Sequence, residues 1–196
     1  MIDEAFRMMQ KDPREGCLCE FGVWQGAGLA AIQNLAREFL YPVPKIFGFD
    51  SFEGMPVTSV PLNDEQAAPW RPGGYGDTSL EAVQSRLPGV TLTKAVFSDL
   101  RPLGSYGIKR VRFARIDCDI YEGYRDSLRL LTPHLDPGSL LLFDEGRAPG
   151  DPRSDQSISD SGVRAIREWV QESGWRFKII REHWTEYLVQ LERREV

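Results

Sequence analysis

The chain predicts an α/β fold: one doubly wound, mostly parallel sheet that ends in a C-terminal antiparallel hairpin. Three observations lead there. Four short apolar runs each end in an acid: Leu18-Cys19-Glu20, Ile46-Phe47-Gly48-Phe49-Asp50, Phe113-Ala114-Arg115-Ile116-Asp117-Cys118-Asp119 and Leu140-Leu141-Leu142-Phe143-Asp144-Glu145. Helix-like stretches separate them, and apolar runs of this length between helices read as buried parallel strands. Two alternating segments, Trp175 to Arg181 and Glu186 to Leu191, follow as an antiparallel pair at one sheet edge. No internal repeat is visible, so residues 1–196 read as a single domain.

Taken in order, residues 1–15 hold a short helix carrying Ala5, Phe6, Met8 and Met9 that Pro13 ends. The first strand, Gly16 to Phe21, runs into the turn Gly22 to Gly28. Leu29, Ile32, Leu35, Ala36 and Phe39 recur at a 3.6 period, giving a helix from Leu29 to Leu40 that Pro42 and Pro44 stop. Lys45 to Asp50 is the second strand. Thr78 or Ser79 caps a helix from Leu80 to Leu87, and Val90 to Phe97 is a third strand whose Thr and Lys residues suit an edge. Arg112 to Asp117 and Ser139 to Asp144 are the fourth and fifth strands, with a helix from Ser127 to Leu135 between them. Val163 to Glu172 is an amphipathic helix before the terminal pair. Residues 53–78, with Pro56, Pro61, Pro69 and Pro72 and Gly54, Gly73, Gly74 and Gly76, make a long loop of the kind that is usually functional or mobile, with a passive insertion as the alternative. It begins at the carboxyl end of a strand, and a lid over a site is the expectation.

Composition narrows the function classes. The net charge of −5, with no basic run to offset it, argues against a nucleic-acid partner. No run approaches the roughly 20 apolar residues of a membrane helix, and Met1-Ile2-Asp3-Glu4 does not open a signal peptide. Cys17, Cys19 and Cys118 sit in or beside core strands, without zinc spacing and without a geometry for an unstrained Cys17–Cys19 disulfide. Reduced thiols fit a cytoplasmic location.

Ligands of an open α/β sheet bind beyond the carboxyl ends of the strands. At least five carboxylates therefore surround one crevice, and so many like charges raise their own pKa values or demand positive partners. The turn after Glu20 carries glycines, but their spacing misses the dinucleotide fingerprint and no Walker lysine follows. An acid at that strand end disfavours a diphosphate and suits a ligand bearing an ammonium or sulfonium. Asp50, about 30 residues further on, is placed to accept the two hydroxyls of a ribose, or else to cap a turn. Hard oxygen donors from neighbouring strand ends, Asp117 with Asp144 and Glu145, suit Mg²⁺, which makes a coordinated hydroxyl easier to deprotonate. The alternative for these acids is to cap helices and meet arginines. Asp119 is a candidate proton acceptor, although in an extended strand it points opposite Asp117. His134 and His183 offer weaker bases. Trp70 and Tyr75 in the loop could stack on a sugar or an aromatic acceptor, or fill a gap.

The strings Glu20-Phe21-Gly22-Val23-Trp24-Gln25-Gly26 and Gly48-Phe49-Asp50-Ser51-Phe52-Glu53-Gly54-Met55-Pro56 resemble the first two motifs of the macrocin O-methyltransferase (TylF-like) family. Arg115-Ile116-Asp117-Cys118-Asp119-Ile120-Tyr121-Glu122 resembles its next signature, Asp136-Pro137-Gly138 with Leu142-Phe143-Asp144-Glu145 its fifth-strand segment, and Gly162-Val163-Arg164-Ala165-Ile166 the helix beyond. The resemblance runs in order over roughly residues 17–170.

It implies a Rossmann-like class I methyltransferase that moves a methyl group from S-adenosylmethionine to a hydroxyl of a small molecule, in the favoured case a sugar on a natural product. Glu20 and Gly22, with Trp24 and Gly26 in the same turn, would line the methionine end, and Asp50, Ser51 and Phe52 the ribose and adenosine. Ser98 and Asp99 would border the adenine, and Asp117 would face both cofactor and acceptor. The resemblance makes Asp117, Asp144 and Glu145 the metal ligands, with Glu145 standing where Asp is usual. Asp117 and Asp119 are the catalytic candidates. Two other readings stay open at this point: a metal-independent methyltransferase, and a non-catalytic nucleoside-binding protein. Family members often carry extra N-terminal helices that help form the lid and a dimer, so a homodimer is one open assembly state for this shorter chain.

Overall fold

The computed structural model describes residues 1–59, 71–144, 160–183 and 186–192. Helices α1 (Ile2–Gln10), α2 (Ala27–Phe39), α3 (Leu80–Arg86), α4 (Tyr121–Leu131) and α5 (Asp160–Ser173) alternate with strands β1 (Cys17–Phe21), β2 (Ile46–Asp50), β3 (Val90–Lys94), β4 (Val111–Ile116) and β5 (Leu140–Phe143). The chain then finishes in β6 (Phe177–His183) and β7 (Glu186–Leu191). All seven strands form one sheet in the order β3-β2-β1-β4-β5-β7-β6. The pairs from β3 through β5 are parallel, and β7 runs antiparallel to both β5 and β6.

The terminal pair is antiparallel as its alternation predicts, but the last strand is inserted beside β5 and leaves β6 at the edge. Composition explains the choice. Tyr187, Leu188 and Val189 of β7 are fully buried, whereas Lys178, Arg181, Glu182 and His183 of β6 face solvent. A charged outer strand resists edge-to-edge pairing, so the apolar strand goes inside. The other edge is β3, as its mixed composition suggests.

Alternation along the strands builds two cores. Leu18, Phe113, Leu140, Leu142 and Leu188 face Phe6, Met9, Leu29 and Ile32 of α1 and α2. Cys19, Ala114, Ile116, Leu141 and Phe143 face Tyr124, Leu128, Ile166 and Trp169 of α4 and α5. No helix among the described residues is long and apolar enough to cross a membrane.

Two predicted boundaries move, and both movements shape the site. The helix expected from Ser127 to Leu135 instead spans Tyr121–Leu131, followed by a 3₁₀ turn at Thr132–His134. The chain leaves β4 at Ile116, turns with Asp119 at φ 58° and Ile120 N–H donating to Cys118 O at 2.6 Å, and enters the helix at once. Gly123, which weakens a helix signal, is needed there: a Cβ would lie 2.7 Å from Cβ of Cys118. The third strand likewise stops at Lys94 rather than Phe97, and Phe97–Asp99 forms a 3₁₀ turn. Of the predicted caps, Ser79 is the one used, its Oγ accepting from Ala82 N–H at 3.2 Å.

Candidate active site

Parallel register sets the strand-end acids side by side. Glu20 pairs with Arg115 across β1 and β4, and Arg115 with Leu142 across β4 and β5. The ladder continues past the strands, Asp117 N–H donating to Phe21 O at 2.9 Å and Asp144 N–H to Ile116 O at 3.0 Å. Where the β1 and β4 ends meet, only glycine fits. Gly22 has φ 85°, and a Cβ there would sit 1.7 Å from the carbonyl oxygen of Asp117.

Beyond these ends lies a cavity of about 300 Å³. Gly22, Trp24, Asp50 and Ser51 line one side, Ala95, Val96 and Phe97 form an apolar wall, and Asp117, Asp119, Glu122, Asp126 and Asp144 complete it. A crevice of this size fits a small cofactor, and its chemistry suits a cation at one end and an apolar ring at the other.

Asp50 is held entirely by backbone. Its Oδ2 accepts from Val23 N–H at 2.6 Å and Trp24 N–H at 2.8 Å, and its Oδ1 from Phe52 N–H at 2.7 Å. One carboxylate thus ties the β1 and β2 loops together while still facing the cavity. The turn-capping role and the ligand-facing position coexist. Ser51 Oγ donates to Gly54 O at 3.0 Å. Phe52, at φ 50°, turns into the core and is 5% exposed, so its backbone rather than its ring serves the loop.

The remaining acids behave differently. Arg115 Nη1 donates to Glu20 Oε1 at 2.8 Å and pairs with Asp117 Oδ2 at 2.7 Å, while Nη2 pairs with Asp144 Oδ1 at 2.8 Å. One guanidinium therefore serves three carboxylates. Burial pushes Glu20 up to about 7 against the pull of Arg115. Burial likewise raises Asp117, with Asp144 adding to the rise and Arg115 opposing it. Asp144 is lowered: burial would raise it, but hydrogen bonding to Glu186 and the charge of Arg115 outweigh that. Glu186, at the start of β7, is raised by burial and by Asp144. The cluster is short of positive charge and keeps protons in its place.

The sequence-predicted residues fall into groups. Gly22, Trp24, Asp50, Ser51, Asp117, Asp119 and Asp144 line the cavity. Glu20 does not: it is fully buried beneath the floor, bonded to Arg115. Gly26 sits at φ 84° before α2, where a Cβ would lie 2.8 Å from Val83, a packing role. The wall expected from Ser98 and Asp99 is made instead by Ala95 to Phe97. Because β3 ends early, the 3₁₀ turn carries the pair outward, where Ser98 Oγ donates to Asp99 Oδ1 at 3.1 Å. Asp119 is not in a strand, so the alternation that set it opposite Asp117 does not apply. Glu145 and Trp70 lie outside the described residues. Neither His134 nor His183 is on the cavity wall.

Two contributors were missed. Arg115 reads as an ordinary strand residue, and the register that sets it beside Glu20 is visible only in the folded sheet. Glu186 belongs to β7 and reaches Asp144 only because β7 lies beside β5. Loop contacts close the picture on the β2 side. The Trp24 indole N–H donates to Asp77 Oδ1 at 2.6 Å, its ring meets Tyr75 edge-on at 5.2 Å, and Glu122 accepts from Thr58 Oγ1 at 2.8 Å and Ser59 N–H at 2.7 Å.

Residues 1–154 match the family model of macrocin-O-methyltransferase (TylF). The chain belongs to that family. A curated relative from Streptomyces olivaceus, 8-demethyl-8-(2,3-dimethoxy-alpha-L-rhamnosyl)-tetracenomycin-C 4'-O-methyltransferase, is 28% identical over 139 residues. That match covers 66% of this chain but only 52% of the relative, so the chain spans about half the length of the curated protein it resembles. Among solved structures, the O-methyltransferase NovP superposes with a TM-score of 0.80 at 20% identity, over 98% of this chain and 78% of that one. The calicheamicin methyltransferase CalS11 gives 0.71 at 19% identity, over 96% and 76%. At these identities the structural likeness speaks for the fold.

Proposed function

We propose that this chain transfers a methyl group from S-adenosylmethionine to a hydroxyl of a sugar carried by a glycosylated small molecule. The observation that carries the reading is the pairing of Asp117 and Asp144 with one arginine at a cavity that Asp50 also lines, in a member of the TylF family. The curated relative acts on a rhamnosyl tetracenomycin, which supports a sugar acceptor. The acidic lining suits the cofactor's sulfonium and ammonium, the apolar strip at Ala95 to Phe97 suits its adenine, and Asp50 suits its ribose. Segments 53–59 and 71–78, pinned to Glu122 and Trp24, support a lid over this cavity. Free thiols at Cys17, Cys19 and Cys118 accord with a cytoplasmic protein.

The transfer is an in-line displacement, so positioning and removal of the hydroxyl proton supply most of the catalysis. Asp117 and Asp144 orient the acceptor oxygen, and Asp119, held on the wall by its left-handed turn, takes the proton. The donor set at Asp117 and Asp144 is all oxygen and suits a hard cation, which would take the place of the protons these acids share with each other and with Glu186. Mg²⁺ held there, with Glu145 as a further ligand, would polarise the acceptor hydroxyl. A second reading has its own support: Arg115 already supplies positive charge to both acids, which favours transfer without metal. Among the described residues no group of three His, Cys, Asp or Glu is arranged to hold a metal.

Calorimetry with S-adenosylhomocysteine tests the cofactor, and transfer from methyl-labelled S-adenosylmethionine to an aryl α-L-rhamnoside tests the acceptor class. Each is run with Mg²⁺ and with a chelator. We expect binding in both conditions and turnover that the chelator suppresses. Turnover that ignores the chelator selects the metal-free reading, and absence of cofactor binding ends both.

A further inference from the structure

We propose that Arg115, anchored by Glu20 and gauged by Gly28, is the positioning residue that fixes Asp117 and Asp144 for methyl transfer; this rests on the reading above. All four charged groups lie on the sheet face that α2 covers. Glu20 and Arg115 are cross-strand partners, and Asp117 and Asp144 follow two residues after Arg115 and its partner Leu142. The two Nη atoms of the guanidinium fork reach three carboxylates at once, a spread that a single ammonium cannot match. Its side chain is 14% exposed and that of Glu20 is 0% exposed, so the anchor lies below the cavity and the working end at its floor.

Two features mark this as more than an ion pair. Glu20 Oε2 and Arg115 Nε are buried with no hydrogen-bond partner among the described residues, a cost that a purely stabilising pair does not need to carry. In the first turn of α2, a Cβ on Gly28 would fall 2.2 Å from Glu20 Oε1 and 2.6 Å from Arg115 Nη1. The helix therefore accepts its least favourable residue short of proline to leave this pair where it is. Any other side chain there would push the fork toward Asp117 and Asp144.

Arg115→Lys and Gly28→Ala test the assignment, since Lys keeps the charge and Ala is the better helix former. Each is expected to lower kcat at least tenfold, with KM for the rhamnoside and Kd for S-adenosylhomocysteine within threefold of wild type and the cooperative melt retained. Arg115→Ala is expected to regain turnover with millimolar guanidinium and not with methylammonium. A readout free of turnover is the NMR spectrum of ¹⁵N-arginine: wild type should show resolved, slowly exchanging Nη–H signals that vanish in Arg115→Lys and broaden in Gly28→Ala. If those signals are present while wild type neither binds cofactor nor turns over, the clamp stands and the assigned reaction fails. Unchanged kcat in both Arg115→Lys and Gly28→Ala overturns the proposal. So does a loss that tracks cofactor affinity or melting temperature, or an absence of the slow Nη–H signals.

Discussion

Asp50 and the Glu20–Asp117–Asp144 group occupy equivalent places at the carboxyl edge of one sheet, yet they are satisfied by opposite means. Three backbone N–H groups hold Asp50, so its carboxylate is fixed by the loops it ties together. Three side-chain acids share one guanidinium, and burial keeps protons on some of them. Fixed N–H dipoles hold a carboxylate still. A shared cation leaves a group whose charge answers to what enters the cavity. The first arrangement suits a binding position, the second a place where a proton must move.

The largest effect should come from removing the cation. Arg115→Met strands the buried Glu20 and the partly buried Asp117 and Asp144, and breaking a largely buried ionic network costs up to about 3–5 kcal/mol. Urea unfolding of the variant against wild type measures it. A loss under 1 kcal/mol would mean the acids hold one another through shared protons alone.

A smaller effect separates the two sides by pH. Glu20 keeps its proton in the folded chain up to about 7, against 4.5 when unfolded. Between those values the folded state binds more protons, so this group makes stability fall as pH rises, by at most about 3 kcal/mol. Glu20→Gln should reduce the slope of the profile between pH 5 and 8 in urea titrations, with the raised Asp117 and Glu186 keeping the remainder. An unchanged slope would remove Glu20 from the account.

The smallest expected effect lies on the Asp50 side. Trp24→Phe loses the indole hydrogen bond to Asp77 at a half-exposed position, costing at most about 1 kcal/mol. Thermal melts should show a shift of a few degrees with the fold intact. A loss as large as that of Arg115→Met would erase the contrast between the two regions.

How much of this was legible depended on whether neighbours in space were neighbours in pattern. Glu20, Asp50, Asp117 and Asp144 announced themselves because a parallel sheet aligns its strand ends. Arg115 did not, because its meaning lies in a cross-strand register that apolar periodicity does not report. Glu186 was hidden more deeply: only the insertion of β7 beside β5 brings it to Asp144. Tyr121 to Asp126 carry no predicted element because the run through Asp119 reads as extended. The turn at Asp119 and the contact of Gly123 with Cys118 are tertiary facts that start the helix earlier. Ser98 and Asp99 lie just past the wall made by Ala95 to Phe97, because β3 stops at Lys94 and a 3₁₀ turn follows.

The division of labour is tested most directly by titrating S-adenosylhomocysteine calorimetrically into wild type, Asp50→Ala and Asp144→Asn side by side. The account predicts tight binding to wild type, at least tenfold weaker binding to Asp50→Ala, and binding within threefold of wild type for Asp144→Asn. Equal affinities for Asp50→Ala and wild type, or a collapse of binding in Asp144→Asn alone, would contradict it.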